Sequence, residues 1–257
     1  MKGDLKNINR MFNFIIWLVI SLLPSLFWIW FFIRYDWEKP EPPKIIFKVF
    51  ILAIIFSSIV LLFRYLGWTQ IFEGIFANLL LNQLFYLFIL VAFFEEGIKF
   101  LAVIVGAYFN KAYDEHLDGI IYGVTAGLGV AAFENFMSVV AFGGRAVLFR
   151  FATSTLMHAL VGGIMGYFMA KAKFERKNKI CIFEGLIVAV ILHGVYNYVL
   201  KFQNQFGLIY LSLVLIAMFV LLMILIKKAK HKKISLTQPF DGFGKLTAGK
   251  LRDRILN

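Results

Sequence analysis

Hydrophobic residues in this chain fall into long blocks of about 20, separated by short polar connections. An α-helix of about 20 residues crosses the hydrocarbon core of a bilayer. The pattern therefore predicts an all-α fold, a polytopic transmembrane helical bundle of about seven spans. The predicted spans are residues 14–33, 45–66, 80–109, 117–142, 153–170, 180–200 and 208–226.

The third predicted span is longer than one crossing needs and carries Glu95, Glu96 and Lys99 midway. We expect it to be tilted, bent or broken there.

Residues 1–233 are predicted to form one membrane domain, and residues 234–257 a polar cytoplasmic tail.

Composition supports a membrane protein, because 61% of the 257 residues are hydrophobic and 16% are charged. That charged fraction is too small to cover the outside of a soluble globule. The net charge of +12 could indicate nucleic acid, but Lys and Arg cluster at the ends of the apolar blocks. There they act as topology signals and lipid headgroup contacts, so the predicted partner is the bilayer and not nucleic acid.

The basic clusters also predict an orientation. Residues 171–179 and 227–233 are rich in Lys and Arg, whereas residues 67–82 contain neither. By the positive-inside rule the two basic segments, the loop at 34–44 and the C-terminus are cytoplasmic. The N-terminus and residues 67–82 are then predicted to lie outside.

Several polar residues lie inside the predicted spans, where an ionisable group costs roughly 2.5–3.5 kcal/mol on insertion scales. In the predicted topology four of them share the outer third of the membrane, and the paired glutamates come within reach if the third helix bends. Rows of small residues four apart, as at Gly119, Gly123 and Gly127, lead towards these positions and predict close helix crossings. The set is Glu95, Glu96, Glu134, His158, His193 and Asn197.

Each of these residues also has a purely structural interpretation. A lone His or Asn in a span often bonds a neighbouring helix, and Glu95 with Lys99 has the i, i+4 spacing of an ion pair. That pairing would leave Glu96 without an obvious partner. Two carboxylates, two histidines and an asparagine at one depth nevertheless exceed what scaffolding requires, so we predict one functional site.

The predicted chemistry is activation of water. The chain has no G-x-S-x-G and no H-E-x-x-H motif. A buried carboxylate could act as general base. The histidines could bind a metal such as zinc, with Glu134 as third ligand, or bond the water directly, with Asn197 as oxyanion donor. The sequence leaves both routes open.

Four separated segments resemble the PrsW proteases, bacterial membrane peptidases that make the first cut in anti-sigma factors. They are F-F-E-E-G-I-K at 93–99, the D-G-I-I-Y-G to F-E-N stretch at 118–135, H-A-L-V-G-G at 158–163 and H-G-V-Y-N at 193–197. The family is similar in turn to the CAAX and bacteriocin-processing endopeptidases.

The resemblance implies an intramembrane endopeptidase in a bacterial plasma membrane, acting on a single-span membrane protein such as an anti-sigma factor. It implies that Glu95, Glu96 and His193 form the catalytic core, with His158 as a second essential histidine and Asn197 matching the family's asparagine. An ion- or proton-coupled transporter and a non-catalytic scaffold that binds transmembrane helices are the alternatives. A transporter would need a polar track across the whole bilayer, which the spans do not suggest.

Overall fold

The computed structural model describes residues 2–36, 38–67, 72, 75–175, 180–202 and 205–237. Within these residues the chain is helical and contains no strand, which confirms the all-α prediction. The predicted tail lies outside the described residues beyond Thr237. The helices are α1 Lys2–Ile33, α2 Pro43–Tyr65, α3 Leu79–Phe85, α4 Phe94–Val103, α5 His116–Phe142, α6 Arg145–Ala152, α7 Ser154–Phe174, α8 Cys181–Val199 and α9 Gln205–Thr237.

Six helices of the described chain are long and apolar enough to cross a membrane. They match six of the predicted spans: Met11–Asp36, Pro43–Leu62, His116–Phe142, Val147–Phe174, Cys181–Val199 and Phe206–His231.

The third predicted span is helical but interrupted, as its length and charge suggest. It consists of α3, a π-helical segment Tyr86–Phe93, α4, and a second π segment Ile104–Tyr108. The continuous run from residue 79 to residue 108 extends over about 45 Å at the α-helical rise, enough for a tilted crossing. The helix changes from π to α directly before Glu95. Such π segments often occur near functional sites, which makes this helix a candidate part of one.

Helix α5 is the centre of the bundle, and its contact with α7 is made by backbone against backbone. A Cβ atom on Gly123 would overlap the carbonyl of Gly162, and one on Gly162 would overlap that of Gly123. At the next turn, a Cβ on Gly127 would meet the carbonyl of His158. The predicted small-residue rows therefore do bring these helices into close contact.

One end of the bundle gathers the segments that the charge pattern assigns to the cytoplasm. Lys39 pairs with Asp114 at 2.5 Å, and the Lys173 ammonium lies 4.1 Å from the ring centroid of Tyr113. Lys230, from α9, lies 5.7 Å from the ring centroid of Tyr35. The loops after α1 and α4 and the ends of α7 and α9 therefore share one side of the protein.

Glu41, in the loop before α2, is buried at this end. Tyr122 donates a hydrogen bond to it, and Asp118 accepts the backbone N–H groups of Asp114 and Glu115 at 2.7 and 2.6 Å. Burial, followed by the hydrogen bond with Asp118, raises the pKa of Glu41 to about 9. Glu41 is therefore a neutral acid near pH 7 that ties this loop to α5.

The α5–α7 contact predicts that Gly162→Ala destabilises the protein, because the added methyl group meets the carbonyl of Gly123. We expect a loss of about 1–3 kcal/mol of unfolding free energy, measured by denaturant titration in micelles. Gly97→Ala is the matched control, because a Cβ there has nothing within 4 Å. A Gly162→Ala protein as stable as this control would contradict the packing argument.

The raised pKa of Glu41 predicts a pH-dependent stability. The unfolded chain loses this proton near pH 4.5 and the folded protein near pH 9, so this contribution to stability decreases as the pH rises between those values. Glu41→Gln removes the contribution. The melting temperature of the variant relative to wild type should therefore increase steadily from pH 5 to pH 9. Glu38→Gln, at an exposed position, should show no such trend.

Candidate active site

Glu96 is the most enclosed carboxylate of the site. Its Oε1 accepts a hydrogen bond from the Lys99 ammonium at 2.5 Å and another from Nδ1 of His193 at 2.6 Å. The Glu96 and Lys99 side chains have no exposed area, and His193 is 1% exposed. Lys99, Glu96 and His193 thus form a fixed chain of cation, carboxylate and imidazole.

Lys99 pairs with Glu96, the glutamate that the i, i+4 interpretation left without an obvious partner. Residues three apart on a helix are neighbours just as residues four apart are, so both pairings were sterically open. Tertiary packing makes the choice: Glu95 is directed to Nε2 of His193, 3.5 Å from its own Oε2.

A second chain of the same kind joins α5, α6 and α7. Oε2 of Glu134 lies 3.2 Å from Nε2 of His158 and accepts a hydrogen bond from Nη2 of Arg150 at 2.7 Å. Arg150 was not among the predicted site residues. It lies on the short helix α6, before the predicted fifth span, and the sequence carries no signal that it folds back onto Glu134.

The two histidines meet with their free nitrogens available. Their rings are nearly perpendicular, with centroids 5.2 Å apart. A carboxylate accepts and does not donate, and Glu96 is closer to His193 than Glu95 is, at 2.6 against 3.5 Å, so we assign the proton of His158 to Nε2 and that of His193 to Nδ1. This leaves Nδ1 of His158, which is buried and has no hydrogen-bond partner, and Nε2 of His193, beside Glu95, as lone-pair donors.

Glu95, His158 and His193 form a group that fits a metal ion. Each is buried, and one ligand atom from each lies within 4.8 Å of the others. Two imidazoles and a carboxylate are a ligand set of catalytic zinc, and the unpartnered Nδ1 of His158 is the kind of atom an ion would satisfy. The sequence suggested Glu134 as the third ligand. In the structure Glu134 contacts His158 but is not part of this group, and Glu95 takes the third position.

Asn197 lies one helical turn beyond His193 on α8 and is half-buried. Within the described residues its side chain makes no hydrogen bond to the glutamates or histidines. Its assignment as an oxyanion donor stays a prediction.

A cleft of about 240 Å³ leads to the site. Glu95, Glu134 and Arg150 lie along it, and its remaining walls are mostly apolar side chains of α2, α4 and α5. Leu61 and Met137, both more than a third exposed, lie at its edge. The only polar group of α4 on this lining is the carboxylate of Glu95, which can therefore meet a molecule that enters.

The fold and this site define a polytopic membrane protein with a buried, hydrolase-type centre. A model of the PrsW family of intramembrane metalloproteases matches residues 41–226, and the chain belongs to that family.

Curated relatives carry the same family name. Protease PrsW of Halalkalibacterium halodurans is 36% identical over 62% of this chain and 71% of the relative. Protease PrsW of Shouchella clausii is 33% identical over 56% of this chain and 67% of the relative. Protease PrsW of Clostridioides difficile is 30% identical over 78% of this chain and 84% of the relative. No solved structure matches the chain. Membership of a protease family identifies the chain as a hydrolase and removes the support for the transporter and scaffold alternatives.

The buried pair predicts that Lys99→Met is strongly destabilising, because it leaves Glu96 charged without its cation. Removing one partner of a buried pair costs about 3–5 kcal/mol, which denaturant titration would detect. The double variant Glu96→Gln/Lys99→Met should recover much of the loss. Lys201→Met, at an exposed position after α8, is the matched control. A Lys99→Met protein as stable as this control would contradict the paired-charge arrangement.

Proposed function

We propose that this enzyme hydrolyses a peptide bond in a single-span membrane protein, near the extracytoplasmic face, as the first cut in an anti-sigma factor. The observation that carries the proposal is the convergence of Glu95, His158 and His193 in the apolar part of the bundle, with Glu95 also lining a cleft. Family membership supports the protease activity. The anti-sigma substrate rests on the resemblance of the four sequence segments.

In this proposal Glu95, His158 and His193 would hold a divalent metal. The chemistry that such an ion supplies is Lewis-acid polarisation of a carbonyl and activation of water. Glu96 and Glu134 each keep one histidine in the tautomer that leaves a lone pair for this purpose.

Proton transfer falls to the Glu95 oxygen that would not ligate the ion, because Glu95 offers one ligand atom to that group and also lines the cleft. Its carboxylate takes the proton of the attacking water as the new carbon–oxygen bond forms. It returns that proton to the amide nitrogen as the carbon–nitrogen bond breaks. Lys99 does not take part in the proton transfer. It donates a hydrogen bond to Glu96, which in turn holds the ring of His193. Burial of the whole set keeps bulk water from competing with these contacts.

The shape of the cleft supports an unwound substrate segment. An α-helix with side chains is about 10–12 Å across, and a cavity of 240 Å³ cannot enclose one. A short extended stretch is the better match, because polar side chains along the lining could bond its backbone groups. We therefore expect the substrate helix to open locally before cleavage.

The distance of the site from the basic end of the bundle supports the proposed extracytoplasmic position. Glu134 lies sixteen residues beyond Asp118 on α5, about 24 Å along the helix, so the site is far from the end that carries Lys39, Lys173 and Lys230. If the basic end is cytoplasmic, as the positive-inside rule indicates, the site lies towards the opposite face.

The function is tested by co-expressing the enzyme with a tagged anti-sigma factor and, in parallel, an unrelated single-span protein. Glu95→Gln and His193→Ala should each reduce fragment formation by about 10²–10⁴-fold at normal membrane levels. Glu184→Gln, an exposed glutamate on α8, is the matched control and should cleave like wild type.

Sequencing the fragment's new terminus locates the cleaved bond. A bond in the extracytoplasmic half of the substrate span is expected, and a cytoplasmic bond would overturn the proposed side. Equal cleavage by Glu95→Gln and wild type would overturn the assigned roles. Cleavage of the unrelated protein but not the anti-sigma factor would overturn the substrate assignment.

A further inference from the structure

Arg150 holds two adjacent residues of α5 with one guanidinium group. Nη2 donates to Oε2 of Glu134 and Nε donates to Oδ1 of Asn135, each at 2.7 Å. The planar guanidinium presents these donors in a fixed geometry, so both acceptors are oriented together. Neither residue is then free to change rotamer without breaking a bond to Arg150.

Both ends of this contact are anchored. On the Arg150 side, Trp28 of α1 donates to the carbonyl of Phe151 at 3.1 Å and stacks on the Phe151 ring, with centroids 5.7 Å apart. On the α5 side, the Asn135 amide donates to the Thr155 hydroxyl at 3.1 Å. The position of Arg150 is therefore set by α1, α5 and α7 together.

The oxygen that Arg150 holds is the one that contacts His158. Oε2 of Glu134 accepts from Arg150 and lies 3.2 Å from Nε2 of His158. A carboxylate held in this way fixes the imidazole ring and its tautomer, and leaves Nδ1 of His158 for the site. Without Arg150, the negatively charged Glu134 could turn towards a bound cation and compete with Glu95.

We propose that Arg150 is a positioning residue that locks Glu134 onto His158, so that His158 presents Nδ1 to a divalent cation and Glu134 stays out of the ligand set. The proposal rests on the metal site of the proposed function. The four sequence segments that resemble the family do not include Arg150.

The test is binding of Co²⁺ alone to the purified full-length protein in detergent, followed by the visible absorption of the bound ion. Arg150→Ala and Glu134→Gln should each weaken the affinity by about 10–100-fold, the usual effect of losing a residue that orients a metal ligand. Because Arg150 acts through Glu134, the double variant should be no weaker than the weaker single variant. Arg145→Ala removes the same charge from an exposed position of α6 and should bind like wild type.

Arg150→Lys separates charge from geometry. It keeps the positive charge but cannot hold Glu134 and Asn135 at once, so its affinity should fall by about tenfold. Wild-type affinity in this variant would overturn the role of the guanidinium geometry. Wild-type affinity in Arg150→Ala, multiplied losses in the double variant, or a wild-type protein that binds no Co²⁺ would overturn the proposal itself.

The cleavage assay distinguishes this proposal from the proposed function. If wild type cleaves no substrate but the Co²⁺ affinities follow the expected pattern, the proposed function fails and the role of Arg150 stands. If cleavage requires Glu95 and His193 but Arg150→Ala binds Co²⁺ and cleaves like wild type, the function stands and the role of Arg150 fails.

Discussion

The arrangement of this protein depends on the cost of placing charged groups among apolar helices. An ionised side chain there must be paired or neutralised, and two carboxylates of the site have a cation beside them: Lys99 beside Glu96 and Arg150 beside Glu134. Each paired carboxylate then holds one histidine. The same two pairs that make these charges tolerable also fix the orientation of both imidazoles, so stability and site geometry have one physical cause.

This arrangement requires the helices to approach closely, and the glycines of α5 and α7 permit it. With Gly127 against the backbone of His158, the start of α7 lies directly on α5. His158 is thereby held within hydrogen-bond reach of Glu134, seven residues further along α5 than Gly127. A side chain added at Gly127 would collide with the His158 carbonyl, so larger residues at this crossing would push the two helices apart. The small-residue contact is therefore part of the site as well as of the fold.

The two ends of α5 carry polar groups of different kinds. At one end Glu41 is joined to Asp118 and Tyr122 by hydrogen bonds, its raised pKa keeps it protonated, and this network joins loops. At the other end the carboxylates of Glu96 and Glu134 are each matched to a cation and a histidine, and the ring nitrogens converge on Glu95. Carboxyl groups without a cation, such as Glu41, can avoid a buried charge by keeping a proton. A site whose histidines must offer lone pairs needs charged carboxylates, such as Glu96 and Glu134, to hold the imidazole rings in place.

The sequence by itself determined the helical membrane class, six of the predicted spans and the family, and it predicted most residues of the candidate site, because hydrophobic block length and intramembrane polar residues are local signals. It also anticipated the close crossing of α5 and α7 from their glycines. Only the tertiary structure decided that Lys99 pairs with Glu96, since the spacings to Glu95 and Glu96 both suit a helix. It alone brought in Arg150, fifteen residues from Asn135 along the chain, and grouped Glu95 with the two histidines. Partner choice among charged groups depends on how separate helices pack, and no spacing within one helix encodes it.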